Sequence, residues 1–197
     1  MYVTDDMIAG MSAKYGRPHR RSFDIETTAE EVARIRASQI EGRDHDVTVY
    51  ICKDDQVVVI AKHSHPPGLY RAPSGGLHDG EDFETGMNRE VAEETGCRIK
   101  LVRFQLQTDV RFRHGEENVY WRSFVFLADY AGGDFNFTDH LEIREVRLAA
   151  WSEFETFGRI MRATNIGGLQ YRAALHEAVV EVMNHITAHA PKPERQA

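Results

Sequence analysis

The segment from Gly75 to Cys97 constrains this chain most, because it concentrates acidic residues on one side of a predicted helix. Glu90, Glu93 and Glu94 are spaced at i, i+3 and i+4, which places three carboxylates on one helix face. Like charges at this spacing repel one another and destabilise an isolated helix. A divalent cation with oxygen ligands would remove that repulsion, so the spacing indicates a metal-binding face.

The same segment has an apolar face and two clear ends. Phe83, Met87 and Val91 recur at i, i+4 and i+8, which is the spacing of a face that packs on a core. We expect the helix to begin at residues 81–82, where acids favour the positive end of the dipole, and to end at Gly96. Glycines before the helix predict a tight loop whose backbone comes close to a ligand: Gly75, Gly76 and Gly80.

Seven charged or glycine positions in this segment resemble the Nudix box of the Nudix hydrolases, in both identity and spacing. The matching residues are Gly75, Glu81, Arg89, Glu90, Glu93, Glu94 and Gly96. One departure is Cys97, which stands at the aliphatic position that closes the box. Outside residues 75–97, the chain resembles the family only in its order of elements.

The resemblance implies both a fold and a reaction. The expected fold is α/β, a Nudix-type α/β/α sandwich around a mixed β-sheet. Members of the family hydrolyse nucleoside diphosphates linked to another moiety, such as ADP-ribose or a nucleoside triphosphate, by attack of water on phosphorus. Chemical reasoning agrees, because Mg²⁺ or Mn²⁺ held by carboxylates offsets the charge of the diphosphate and orients a water.

The resemblance also implies roles for the acidic residues of the box. Glu90, Glu93 and Glu94 would bind the metal ion, and Glu81 would complete or order that site. Arg89 would hold the loop by pairing with an acid. The general base would be a box glutamate, such as Glu93 or Glu94, or a glutamate outside the box.

Two glutamates outside the box qualify for that role by position. Glu142 and Glu145 lie where a later strand begins, and in the family a glutamate just before this strand often joins the metal site or serves as base. We favour Glu142. The alternative is that both are exposed acids balanced by Arg144 and Arg147.

Candidate contacts to substrate are glycine backbone and arginines, whose guanidinium groups suit phosphate oxygens. They are Gly75, Gly76, Arg71, Arg111 and Arg113. Markers of particular subgroups do not match, since Phe112 stands where many ADP-ribose hydrolases have proline and no SQPWPFP-like array of NADH hydrolases occurs. The box therefore indicates which bond is cut and leaves the substrate open.

The rest of the chain predicts one domain with an N-terminal extension. Residues 1–44 are expected to form a partly ordered arm, basic at residues 17–21, and a helix for which Thr27-Thr28-Ala29-Glu30-Glu31 offers an N-cap; they could contribute to a homodimer. Residues 45–190 would be the Nudix hydrolase domain, with a β-hairpin at 47–61 and strands at 98–110 and 119–127. A final helix near 169–189, with solvent-facing histidines, and a loose tail at 191–197 complete the prediction.

The composition limits which binding partners and which cellular compartment we expect for this protein. The net charge of −7 argues against general nucleic-acid binding and against binding to acidic membranes, so the expected partner is a small nucleotide. Two cysteines do not form a disulfide framework, and no apolar run is long enough to span a membrane. These features favour a cytoplasmic protein.

A second function remains open at this stage. A Nudix fold could sense or bind a nucleotide without cleaving it. Loss of a box glutamate would be the sequence sign of such a module, and every box glutamate is present here. The hydrolase is therefore the favoured prediction.

Overall fold

Apolar runs in the middle of the chain form the strands of one mixed seven-stranded sheet. The computed structural model describes residues 2–39 and 42–189, without the side chains of residues 184–189. The strands are β1 (His19–Glu26), β2 (His45–Lys53), β3 (Gln56–Lys62), β4 (Ser74–Gly75), β5 (Cys97–His114), β6 (Glu117–Gly133) and β7 (Ile143–Ala150). Their order is β1-β5-β6-β2-β3-β7, and β4 pairs with β2.

Helices cover both faces of this sheet. They are α1 (Asp5–Tyr15), α2 (Ala29–Ser38), α3 (Phe83–Thr95), α4 (Glu153–Arg162) and α5 (Gly167–His189). On one face, α1 and α3 bury Met11, Met87 and Val91 against phenylalanines of β5 and β6. On the other face, α2, α4 and α5 bury residues such as Val32 and Phe157. The prediction of an α/β/α sandwich is confirmed.

Strands β2 and β3 pair next to their turn and then diverge, and this divergence, called the fork below, positions the glycine loop. The two strands pair at only two positions, Cys52 with Val57 and Lys53 with Gln56. Beyond that point residues 71–75 lie between them. Arg71 exchanges two backbone hydrogen bonds with Ile60 of β3 (2.8 and 3.0 Å), and residues 74–75 pair with β2. The start of the box is therefore fixed within the sheet.

The N-terminal segment differs from its prediction. Residues 1–22 were expected to be a partly ordered arm, but they contain α1 and the first half of β1. Thr4 caps α1 by accepting a hydrogen bond from the Met7 N–H (3.2 Å), and Ile8 is buried against the core. In β1, half-buried and exposed residues alternate from residue 21 onward. The basic cluster at residues 17–21 obscured this alternation in the sequence.

Two smaller predictions about the C-terminal part meet different outcomes. The histidines of α5 were expected to face solvent, but His176 is buried, shares a 3.1 Å hydrogen bond with the Tyr50 hydroxyl, and stacks on Phe154. The predicted tail at residues 191–197 lies outside the described part of the chain.

Among residues 2–39 and 42–189, no helix combines the length and hydropathy needed to cross a bilayer.

Candidate functional site

Helix α3 is capped at both ends, and its buried apolar face turns the acidic face away from the core. The Asp82 carboxylate accepts hydrogen bonds from the N–H and the hydroxyl of Thr85 (2.9 and 2.7 Å), which begins the helix. Gly96 ends it in the left-handed conformation at φ 69°. Since Phe83, Met87 and Val91 are buried in the core, the glutamates of the last two turns face away from it.

Glu90 lies directly against the backbone of Gly75. A Cβ atom added to Gly75 would overlap the Glu90 carboxyl group, so a side chain at position 75 would displace it. Burial raises the pKa of Glu90, and the nearby Arg89 opposes that rise. The first glycine of the box therefore allows a half-buried carboxylate to reach the loop.

Arg89 ties the loop to the helix. Its guanidinium group forms two parallel hydrogen bonds with the Glu81 carboxylate (2.9 and 2.8 Å) and donates to the Gly76 carbonyl (2.9 Å). It also donates to Glu90 (2.9 Å) and to the more exposed Glu93 (3.2 Å). The bidentate pair lowers the pKa of Glu81 and raises that of Arg89.

Glu94 is the buried member of the acidic face. It is 4% exposed, and its Oε2 atom accepts a 2.8 Å hydrogen bond from the Ser74 N–H. Its Oε1 atom lies 3.3 Å from Nζ of Lys62, and the same ammonium group pairs with Glu142. Lys62 thus links the box to a glutamate that is distant in sequence.

The structure separates the two glutamates that the sequence offered outside the box. Glu142 reaches Lys62, whose hydrogen bond lowers the pKa of Glu142. Its backbone is held as well, because the Glu142 carbonyl accepts from the His63 N–H (2.9 Å). Glu145 instead accepts a 2.7 Å hydrogen bond from the Tyr70 hydroxyl. Of the two, Glu142 lies beside the acidic face of α3.

Among the ion pairs formed by Arg89 and Lys62, carboxylates outnumber cations. Two cationic side chains, Arg89 and Lys62, contact five carboxylates: Glu81, Glu90, Glu93, Glu94 and Glu142. Within the described residues, no three His, Cys, Asp or Glu side chains are gathered so that they could hold a metal ion as they stand. The side chains of Arg89 and Lys62 instead form ion pairs with these carboxylates. The oxygen-only donor set and its excess negative charge fit a hard divalent cation.

The three candidate arginines lie in different places. Arg71 is buried beside the box, where it donates to the Ser74 hydroxyl (2.7 Å) and to the Ala72 carbonyl (2.9 Å). Arg111 and Arg113 lie on β5 and pair with acids of β1, chiefly Asp24. The structure therefore brings Arg71 to the box residues. It places Arg111 and Arg113 near the edge of the sheet that β1 forms.

Three residues of the site gave no signal in the sequence. Lys62 was not a candidate, because its contact with Glu94 depends on the fork between β2 and β3. Ser74 and Arg172 were also overlooked. Arg172 of α5 donates to the hydroxyls of Thr48 (2.8 Å) and Ser74 (3.1 Å), so α5 supports the residue whose N–H holds Glu94.

Comparisons with known proteins find the same family over more than half of this chain. The family model of the NUDIX domain matches residues 42–167. Two similar proteins are the NAD-capped RNA hydrolases NudC of Photobacterium profundum and Pasteurella multocida. The first is 31% identical over 107 residues, covering 54% of this chain and 36% of that protein; the second is 30% identical over 108 residues, covering 55% and 37%. The match therefore spans about a third of the length of these relatives.

Two solved structures show the same fold at low sequence identity. The crystal structure of a UDP-X diphosphatase has a TM-score of 0.54 and 20% identity, with coverage of 80% of this chain and 72% of that one. A NUDIX hydrolase from Nitrosomonas europaea has a TM-score of 0.53 and 17% identity, with coverage of 73% and 89%. At such identities the likeness concerns the fold.

Proposed function

This chain belongs to the Nudix family, whose domain covers residues 42–167. We therefore propose that it hydrolyses the phosphoric anhydride bond of a diphosphate that links a nucleoside to another moiety. The observation that carries this proposal is the excess of carboxylates around the loop that begins at Gly75. Residues 45–190 would form the catalytic domain, and residues 1–44 its N-terminal extension.

Glu90, Glu93 and Glu94 would hold Mg²⁺ or Mn²⁺, with Glu81 ordering the loop through Arg89. A divalent cation bound there would offset the charge of the diphosphate oxygens and make a water more acidic. The carboxylates of the acidic face differ in exposure, from the buried Glu94 to Glu93, whose side chain is 47% exposed. Glu93 is thus the member that is open to solvent and substrate.

The protein itself would orient the reaction through its fixed groups. Glu142 is the proposed general base, because Lys62 holds its carboxylate next to Glu94 and its backbone is held beside β3. Lys62 lies between Glu142 and Glu94, where its positive charge offsets the repulsion between them. Glu145 is the weaker candidate because it is engaged by Tyr70.

The proposed substrate class is a nucleoside diphosphate derivative, such as ADP-ribose, or a nucleoside triphosphate. Arg71 is the favoured phosphate contact among the three arginines, since it is the one that lies beside the box. The relatives named for NAD-capped RNA add NAD⁺ and NAD-capped RNA as candidates, which the missing SQPWPFP-like array ranks below the other compounds. All these molecules contain the phosphoric anhydride bond that the box chemistry requires.

A panel of these compounds tests the proposal. Each is incubated with Mg²⁺, with Mn²⁺ or with a chelator in ¹⁸O-labelled water, and the products are resolved by mass. We expect metal-dependent cleavage of at least one compound, with one ¹⁸O atom in a phosphate group of the product. Tight binding without cleavage of any compound would favour the nucleotide-sensing module instead.

A further inference from the structure

Within the described part of the chain, strand β1 ends the sheet and has a free edge. It pairs on one side with β5, parallel and without a register irregularity from His19 to Glu26. The protection that β1 carries against pairing with another chain is its charged side chains. Natural sheets also shorten, bulge or cover their edges to prevent such pairing. The opposite edge strand, β7, shows such protection, since its pairing with β3 is irregular at Ala61 and Lys62.

The backbone geometry identifies which groups of β1 face outward. The Thr27 N–H donates to the Arg113 carbonyl of β5 (2.9 Å). Because backbone groups of successive residues point to opposite sides of a strand, the even-numbered residues of β1 face away from β5. Among the described residues, the one recorded partner of these outward groups is a side chain: Arg21 donates to the Arg20 carbonyl (3.2 Å).

The charges along this edge change sign from one end to the other. The strand reads His-Arg-Arg-Ser-Phe-Asp-Ile-Glu, so its first half is basic and its second half is acidic. Charged residues on an edge usually discourage association. An antiparallel copy of the same strand, however, would place the basic half of each strand opposite the acidic half of the other.

We propose that two copies of this chain associate through β1, paired antiparallel about a two-fold axis at Phe23. In this register Arg20 lies opposite Glu26 of the second copy, Ser22 lies opposite Asp24, and Phe23 lies opposite its own counterpart. The outward groups of residues 20, 22, 24 and 26 then form about eight hydrogen bonds between the two strands.

The side chains present on this edge suit the proposed register. Arg20, Ser22, Asp24 and Glu26 are all exposed. Arg113 contacts one oxygen of Glu26 at 3.1 Å, which leaves the other oxygen for Arg20 of the second copy. Phe23 is half-buried, with its ring edge-on to Tyr171 at 5.7 Å. Its remaining surface would be covered at the two-fold axis.

Light scattering after size-exclusion chromatography of the full chain tests the interface. We expect the wild type to have twice the mass of one chain and Ser22→Pro to have the mass of one. The Ser22 N–H faces outward, so proline removes a bond between copies without removing one to β5. Ser22→Ala is the matched control and should remain dimeric. A monomeric wild type, or a dimeric and folded Ser22→Pro, would overturn the proposal.

A mixing experiment tests the register. Arg20→Glu alone places Glu opposite Glu26, and Glu26→Arg alone places Arg opposite Arg20, so each variant should be monomeric. In an equimolar mixture of the two variants every opposed pair is again complementary, so a dimer should reappear. Continued absence of a dimer in the mixture, with both variants folded by circular dichroism, would contradict the register.

Discussion

The carboxyl group of Glu90 packs against the backbone of Gly75, where there is no room for a Cβ atom. This contact joins the two ends of the box, since one residue opens the loop and the other begins the acidic face of α3. Glycine at position 75 is therefore required by the position of a carboxylate. The φ angle of Gly75 is not in the left-handed region, so space and not backbone strain selects glycine here.

Gly75→Ala should consequently displace Glu90 and lower metal-dependent turnover. A shift of about 1 Å in a catalytic group can reduce a rate about 100-fold, and we expect a loss of that order. Gly158→Ala is the matched control, because a Cβ atom at Gly158 in α4 would meet no described neighbour. Steady-state rates for both variants check this prediction, and equal rates would show that the Glu90 position is unimportant.

Arg89→Lys should loosen the loop, because lysine cannot reproduce the two parallel bonds to Glu81 together with the bond to the Gly76 carbonyl. We expect a loss of about 1–3 kcal/mol in the free energy of unfolding, measured with urea. The control is Arg34→Lys, which alters a bidentate pair with Glu31 whose arginine is 61% exposed. If the two substitutions cost the same, the Arg89 network has no special structural role.

Glu142→Gln and Glu145→Gln form a matched pair that tests the assignment of the base. Loss of a general base lowers kcat by about 10²–10⁴-fold, so Glu142→Gln should show a decrease in that range. Glu145→Gln should keep kcat near that of the wild type, since Glu145 bonds to Tyr70. The opposite ranking of the two variants would move the role to Glu145.

The buried His45 should make the fold less stable in acid. Its side chain is fully buried, neither ring nitrogen has a hydrogen-bond partner among the described residues, and burial lowers its pKa from 6.5 to about 4. The unfolded chain therefore binds a proton between pH 6.5 and 4 that the folded chain excludes. The contribution of His45 to stability is complete above pH 6.5 and is lost as the pH falls towards 4, by up to about 3 kcal/mol.

His45→Leu should make this part of the pH profile less steep without removing the slope, because burial also lowers the pKa of His65 to about 3 and of His176 to about 4. Stability at neutral pH should be equal or higher, because the substitution removes two buried nitrogens that no described residue bonds. Urea unfolding at several pH values measures the effect. His63→Leu is the control, since His63 is exposed and should leave the slope unchanged. A profile for His45→Leu as steep as that of the wild type would contradict the account.

Local signals in the sequence were sufficient for the helix of the box. Its apolar spacing, its acidic first turn and Gly96 predicted a helix that begins near residue 82 and ends at Gly96, and α3 spans Phe83–Thr95. The β-hairpin was also confirmed, because β-branched runs flank a short polar turn at Asp54 and Asp55. In both elements the determinants lie within a few residues of one another.

Other features depend on contacts that a single segment does not encode. Lys62 meets Glu94 and Glu142 only because the sheet forks, and Ser74 is held from α5 by Arg172. For the same reason, Glu142 and Glu145 were equivalent by position but differ in their partners. Strand β1 was missed because its apolar residues are few and its pairing partner, β5, lies far along the chain, with His19 opposite Leu106.

The most direct test of the central claim is the Mg²⁺-dependent turnover of Glu93→Gln with the best substrate of the panel. The Glu93 side chain pairs with Arg89 and is half exposed, so its replacement should leave the melting temperature near that of the wild type. Glu155→Gln, at an 86% exposed position on α4, is the control. We predict that Glu93→Gln loses metal-dependent turnover while Glu155→Gln retains it. Full turnover by Glu93→Gln would contradict the assignment of the acidic face as the metal-binding site.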